Sequence, residues 1–348
     1  MMNKKLIFLI FVFTGFFGCY RPAIPWKITA SSIVDNGDGI KVALNWKGGP
    51  NGTPVNTTVV YELSQVGGDM EWNPVAKTEK WKNVQSLDFS KDGASLILAA
   101  DVRARDIWLW ETDKLPVEFT SNKEIEGDVI FVGDLIVFRK KEGKAHNIFS
   151  KSINGIQGKR LTNDTSVRWN LKVFQSGEEV ILIHNVLNGM NLGISSVSLK
   201  GTNSERILDN PGPEISFDIA QGKVFFSNEN KWFLCETGLK PWKEGCQEKD
   251  ISSEFSWTGD VFVLNQDVYG GVVSESSSPN QSSLLYSSLG RMLSISYENG
   301  DIKSLNSEGD VLGLVVNNPA TGDFFRIEKF SDSSFESLPP IYPPELED

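Results

Sequence analysis

Residues 89–110 read FSKDGASLILAADVRARDIWLW. A polar turn holding Asp92-Gly93 leads into the apolar run SLILAA. A charged break follows, then a second run in which Trp108 and Trp110 flank Leu109. Glycine at such a turn tolerates the positive φ that tight hairpins need. An adjacent Asp can hydrogen-bond its own backbone. A run that is apolar at every position suits a strand covered on both faces. Alternation puts Trp108 and Trp110 on one face of their strand. Packing against a neighbouring sheet is the first reading of that face, and stacking on a ligand is the second.

The unit recurs. Gly39, Gly93, Gly133, Gly177, Gly222, Gly259 and Gly309 each stand before a short apolar run, at a mean spacing of 45 residues. A more alternating run comes after most of them (DIWLW, NIFSKSI, LGISSVSL, KWFLCE, GVVSESS, DFFRIEKF). No stretch has a helical apolar period with caps. Strands and turns repeating every ~40–45 residues are the signature of propeller blades. One blade alone leaves two apolar faces bare, and radial stacking covers them. The expected fold is therefore all-β: a β-propeller of about seven four-stranded blades over residues 28–330, with six or eight compatible with the same spacing. Residues 28–80 read as an atypical first blade or as a small β-subdomain. Residues 331–348, SDSSFESLPPIYPPELED, read as an acidic, Pro-rich, solvated tail.

The opening stretch resembles the WD40-like repeat of TolB-type propellers, in which F-S-P-D-G precedes an apolar strand and then D-I-aromatic. Phe89, Ser90, Asp92, Gly93, Leu96, Leu98, Asp106, Ile107 and Trp108 match, and Lys91 stands where proline is usual. Asn147-Ile148-Phe149 and Arg160-Leu161-Thr162 resemble the second-strand motif and the closing R-L-T. The resemblance implies the propeller and, as a family tendency, a protein-binding role at the cell envelope.

The N-terminus, MMNKKLIFLIFVFTGFFGC, has Lys4 and Lys5, then an uncharged apolar stretch to Gly18, then Cys19. The stretch is shorter than the ~20 residues a membrane-spanning helix needs, and it fits the core of an export signal. It resembles a bacterial lipoprotein signal over 1–18, with Cys19 lipidated and 19–27 a tether. An ordinary secretory peptide with an incidental cysteine is the alternative. Acyl chains anchor through buried CH₂ groups at about 0.8 kcal/mol each. The expected location is the cell envelope, at the outer membrane, on either its periplasmic or its surface side. The remaining cysteines, Cys235 and Cys246, are close in sequence, and in an exported chain they invite a disulfide. A buried free thiol at Cys235 is the other reading.

The formal net charge is −11, and loss of Lys4 and Lys5 with the signal takes it to −13. Such a surface repels phosphate backbones, so nucleic acid is not an expected partner. No metal-ligand, phosphate-loop or G-x-S-x-G motif occurs, and no cofactor or metal is expected. His146 and His184 come from different repeats and read as satisfied, half-exposed side chains. Asp101, Asp106, Asp128, Asp134 and Asp260 could by type furnish the paired carboxylates of a glycosidase, but all sit at turns or strand ends where Asp is common, and no catalytic residue is assigned. The loops GGPNGTPVNT (48–57) and SESSSPNQSS (274–283) are the longest polar ones. The functional expectation is a lipid-anchored, non-enzymatic propeller that binds envelope proteins. The alternative is an envelope hydrolase of glycans or peptides using carboxylates at the propeller top.

Overall fold

The computed structural model describes residues 24–344, except 50–53, 103, 122–123, 177–178, 190, 201–203, 211–215, 229–230, 237–245, 250–254, 266, 276–277 and 298–299. The signal, Cys19 and Gly177 lie outside the described residues. Every regular element among them is a strand. The first four are β1 (Ile24–Asp35), β2 (Ile40–Gly49), β3 (Val55–Val66) and β4 (Asp69–Thr78), an antiparallel meander. The segment expected as a blade or a subdomain is thus a four-strand unit like the rest, and residues 24–27, expected as part of a tether, belong to β1.

Five separate four-stranded sheets follow. They are β5 (Asn83–Phe89), β6 (Ser95–Asp101), β7 (Arg105–Glu111) and β8 (Val117–Glu118); then β9 (Glu126–Val132), β10 (Leu135–Glu142), β11 (Ala145–Ser152) and β12 (Lys159–Arg160). Next come β13 (Val167–Ser176), β14 (Glu179–Asn188), β15 (Asn191–Ser198) and β16 (Ser204–Asn210), then β17 (Phe217–Ala220), β18 (Lys223–Asn228), β19 (Lys231–Glu236) and β20 (Cys246–Lys249). The fifth is β21 (Phe255–Val263), β22 (Tyr269–Glu275), β23 (Ser278–Ser288) and β24 (Arg291–Ser296). The last group, β25 (Asp301–Glu308), β26 (Val311–Asn318), β27 (Gly322–Ser331) and β28 (Ser334–Ser337), joins the first through one parallel bridge, Trp26 to Gly322.

Each second strand feeds two cores. In β6, Leu96, Leu98 and Ala100 pack with Val34, Ala43 and Val60 of the first group. Ile97 and Ala99 pack with Val129, Ile136 and Phe138 of the third. All five β6 residues are fully buried, each large one contributing about 1.5–3 kcal/mol of hydrophobic stabilisation. This is why SLILAA is apolar throughout. Trp108 and Trp110 join the same side as Leu98, edge-on to Trp81 at centroid distances of 6.3 and 6.0 Å. Lys80 Nζ sits 4.0 Å above the Trp108 ring. These indoles pack between sheets.

The closing threonine of the repeat has a physical role. Ile107 N donates to Thr120 Oγ1 at 2.8 Å, and Ile148 N donates to Thr162 Oγ1 at 2.9 Å. Thr162 Oγ1 in turn donates to Asn147 Oδ1 at 3.1 Å. The hydroxyl takes a third-strand N–H where the short fourth strand has ended.

First strands stand side by side in the order β1, β5, β9, β13, β17, β21 and β25, and β25 returns to β1. Neighbouring first strands run the same way. Ser86 and Asp88 on β5 meet Val129 and Phe131 on β9 in ascending order, as Ser216, just before β17, and Asp218 on β17 meet Val261 and Val263 on β21. With antiparallel neighbours inside each group, the described first-to-second and third-to-fourth turns emerge on one face of the ring. We call this the turn face; β1 begins at the opposite face. Asn36 Nδ2 in the β1–β2 turn donates to Asp92 O in the β5–β6 turn at 2.9 Å, as this arrangement requires.

Gly93, Gly133, Gly222 and Gly309 occupy first-to-second turns with φ of +66°, +58°, +75° and +56°. Gly259 does not: it lies inside β21, where the register shifts between Trp257 and Val261. The run DVFVL ends this first strand instead of opening the second, so the expected repeat is one strand out of step in that group. The stretch 274–283, expected as a loop, belongs largely to β22 and β23. Nor is the C-terminal segment a solvated tail through residue 344. Residues 334–337 form β28, Phe325 and Ile341 exchange two backbone hydrogen bonds of 2.9 and 2.8 Å, and Trp72 Nε1 donates to Pro339 O at 2.7 Å. Leu338 and Ile341 are buried in a core shared by the first and last groups. The two apolar residues among the prolines make the strap. Ile341→Ala should cost about 2–5 kcal/mol of stability, measured by denaturant unfolding. Amide exchange should accelerate first in β1 and β27, whereas a uniform loss around the ring would contradict a seam role.

Candidate functional site

A cavity of about 500 Å³ is lined by residues of β1, β5, β9, β13, β17 and β25. A first strand has a second strand on one side and no sheet partner on the other, so its outward N–H groups need acceptors. Side chains of the preceding sheet supply them. Ser86 Oγ accepts from Val129 N at 3.3 Å and Asp88 Oδ2 from Phe131 N at 2.7 Å. Ser216 Oγ accepts from Val261 N at 3.2 Å and Asp218 Oδ2 from Val263 N at 3.0 Å. Asp260 Oδ2 accepts from Leu305 N at 3.1 Å. The period of two places Ser and Asp of each S-x-D on the same side of the strand.

β1, β5, β9, β13, β21 and β25 each carry a register irregularity. Bulges re-aim side chains, and Thr29, Gln85, Asp128 and Asn170, at four of these places, line the cavity. Asp128 and Asn170 hold φ of +45° and +57°. Asp128 is paired to Arg139 Nε at 2.7 Å.

Lys172 is the only cation among the described lining residues. Its Nζ lies 3.2 Å from Asp218 Oδ1, and Asp218 Oδ2 also accepts from Ser307 Oγ at 2.5 Å. Burial disfavours the Lys172 ammonium, but Asp218, then Asp260 and Asp88, outweigh it and raise its pKa. Burial pushes the Asp88 carboxyl up to about 7, against the Phe131 hydrogen bond and with help from Glu308. Burial raises Asp260 and Glu308 too, against the pull of Lys172. The channel holds more carboxylates than one lysine can balance. Among the described residues no group of three or more His, Cys, Asp or Glu side chains is arranged to hold a metal ion.

Of the five aspartates singled out by type, Asp128 and Asp260 belong to this neighbourhood. Asp101 is instead paired to Arg105 at 2.9 Å, Asp106 is buried in β7, and Asp134 is exposed in the β9–β10 turn. Asp88, Lys172, Asp218 and Glu308 were not singled out. The recurrence of S-x-D at 86–88 and 216–218 was the available signal for two of them; Lys172 has none, because its meaning comes from carboxylates on other sheets. The histidines sit close to one interface. Arg168 Nη1 donates to His146 O at 3.3 Å, and Arg139 Nη1 contacts His146 Nδ1 at 2.7 Å. His184, expected half-exposed, is fully buried, and burial with Arg168 nearby lowers its pKa to about 3. Cys235 and Cys246 are register partners in β19 and β20, with Cα atoms 4.0 Å apart.

No family model matches the chain, and no curated protein matches it by sequence. Among solved structures it is similar to the β-propeller domain of the Trilobed protease from Pyrococcus furiosus, described as having an open velcro topology. The match has 9% identity over 91% of this chain and 96% of that one, with a TM-score of 0.60. It is similar to a puromycin-hydrolyzing peptidase of Mycobacterium tuberculosis at 10% identity, over 93% of this chain and 54% of that one, with a TM-score of 0.66. TolB from Acinetobacter baumannii matches at 14% identity over 66% of this chain and 64% of that one, with a TM-score of 0.40. The chain spans about half the length of the mycobacterial peptidase. At these identities the likeness establishes the fold alone, a β-propeller.

The raised Asp88 pKa makes a signed prediction. A carboxyl whose folded pKa exceeds its unfolded value near 3.9 contributes stability that is complete below ~4 and is lost as pH rises through about 7. Asp88→Asn keeps an acceptor for Phe131 N and removes the charge. Its melting temperature should exceed that of the wild type by a margin that grows between pH ~4 and about 7 and is flat above. A margin independent of pH would mean that Asp88 titrates normally.

Proposed function

We propose that this chain is a seven-bladed β-propeller held at the bacterial cell envelope by lipid on Cys19, where it acts as a non-enzymatic scaffold for envelope proteins. The observation that carries the reading is the use of the channel carboxylates. Asp88, Asp218 and Asp260 each accept a backbone N–H from the next sheet, so their geometry serves the ring. Four residues separate Cys19 from Ile24, and the five steps between them span at most ~18 Å. A lipidated Cys19 therefore keeps the β1-start face toward the bilayer and directs the turn face away.

One observation favours the hydrolase reading. Asp88, with its carboxyl near neutrality in a polar channel, has the protonation a general acid needs. Crosslinking in intact cells, followed by capture of the tagged, lipidated protein with Cys19→Ala as control, separates the two. A reproducible envelope partner that depends on the anchor is the expected result. No partner, with the protein still at the membrane, would overturn the scaffold and direct a screen of envelope glycans and peptides, in which Asp88→Asn should abolish any turnover.

The reading of an exported chain includes a Cys235–Cys246 disulfide. Unfolded, unreduced protein should show no reactive thiol at these positions, and reduction should cost about 2.5–3 kcal/mol. Two labelled thiols per chain would exclude the bridge.

A further inference from the structure

Lys27 on β1 and Lys47 on β2 are register partners, and both are exposed. Like charges directly opposite one another destabilise an antiparallel pair, and neither lysine has an ion-pair partner among the described residues. Their neighbours Ile28 and Trp46 belong to the core shared with the last group, so alternation turns Lys27 and Lys47 toward the second group. On that side Asn56, the register partner of Lys47 on β3, donates through Nδ2 to Trp81 O at 3.2 Å. Exposed Lys82 follows Trp81 in the connector into β5 and also has no ion pair among the described residues. The three lysines therefore form one patch at the β1-start face, on the joint between the first and second groups. The exposed and half-buried carboxylates described on that face each already have a cation: Glu79 has Lys77, Asp101 has Arg105, Glu124 has Lys140, Glu142 has Arg160, Asp164 has Arg168 and Glu248 has Lys231. Asp301 is held by the Ser282 hydroxyl. Exposed Lys141 and Lys144, beside the turn after β10, add to the unpaired cations. The unbalanced charge of the described part of this face is thus positive, on a chain of net charge −11. Charges more than ~8 Å apart are largely screened at physiological salt, so the local lysines, not the total, decide what this face attracts.

We propose that Lys27, Lys47 and Lys82 seat this face on the headgroup phosphates of an anionic phospholipid bilayer. Place and charge together select that occupant. Ile24, three residues before Lys27, is five steps from Cys19, so a lipid on Cys19 brings this face to the bilayer, where each lysine near an anionic surface is attracted to it. The acidic residues Glu345, Glu347 and Asp348 lie outside the described residues. The strap that leads to them packs on the core shared with the last group, across the first sheet from the lysines. The proposal rests on the anchor of the reading above and adds the contact that orients the ring on its membrane.

The test acylates the lysines of the full lipidated chain on vesicles of phosphatidylcholine, with or without phosphatidylglycerol, and reads each site by mass spectrometry. Labelling at Lys27, Lys47 and Lys82 should be roughly threefold slower or more on the anionic vesicles, and ~0.5 M salt should remove the difference. Exposed Lys91 and Lys200, on the turn face, should label equally on both. In the Cys19→Ala chain, the joint changes Lys27→Gln, Lys47→Gln and Lys82→Gln should lower partition onto the anionic vesicles roughly fivefold per lysine. The melting temperature should stay the same or rise, because the like-charge pair is gone. Equal labelling on the two vesicles, protection at Lys91 and Lys200 instead, or undiminished partition of the triple variant would each overturn the proposal. So would protection without vesicles that disappears when residues 345–348 are deleted. A chain that fails to float with phosphatidylcholine vesicles, yet partitions onto anionic ones through these lysines, would remove the lipid anchor and leave this surface standing.

Discussion

The innermost strand of a radial sheet has one edge that its own sheet cannot pair. Unpaired backbone N–H groups in a narrow channel are costly, and everything else in the ring accommodates that edge. Here the acceptors are Ser and Asp of the preceding first strand, reaching residues 43 to 45 positions ahead in the chain. Each bond ties one sheet to the next at a fixed register. Radial order is therefore held at the axis by polar bonds and farther out by apolar cores such as that of Leu96, Leu98 and Trp108.

The solution has an electrostatic consequence. Aspartates placed for geometry accumulate charge around the axis, and Lys172 on β13 is positioned among them. Its nearest partner is Asp218, and burial raises the pKa values of Asp88, Asp260 and Glu308 against its pull. An acidic channel mouth follows from how the ring is built. Perturbed carboxylates in a cleft usually suggest catalysis; here burial raises them, while the backbone hydrogen bonds to Asp88 and Asp260 and the charge of Lys172 oppose the rise.

Closure is solved differently from the other joints. The last group contributes all four of its own strands, so no strand is shared with the first. Trp26 and Gly322 approach closely enough that a Cβ on Gly322 would fall 2.6 Å from Trp26 O. Ile28 N donates to buried Asp323 at 3.0 Å, and the Leu338–Ile341 strap covers the joint. A segment that looks by composition like a solvated tail is held because two of its side chains reach a shared core.

The turn glycines, the fully apolar second strands and the paired indoles of β7 were legible in the residues, because each depends on local dihedrals or on a period of two. The strand-level slip at Gly259 arose because a glycine in a bulge and a glycine in a turn look alike in a sequence. The sequence alone determined an all-β repeat with hairpins of known type. Only the tertiary structure decided what Asp88, Lys172 and Asp218 do, since their partners lie on neighbouring sheets and no local pattern records which N–H or charge will face them. The same holds for Lys27, Lys47 and Lys82: that a strand pair and the connector into the next group share one face follows from first strands running parallel, a property of the ring and not of any one repeat.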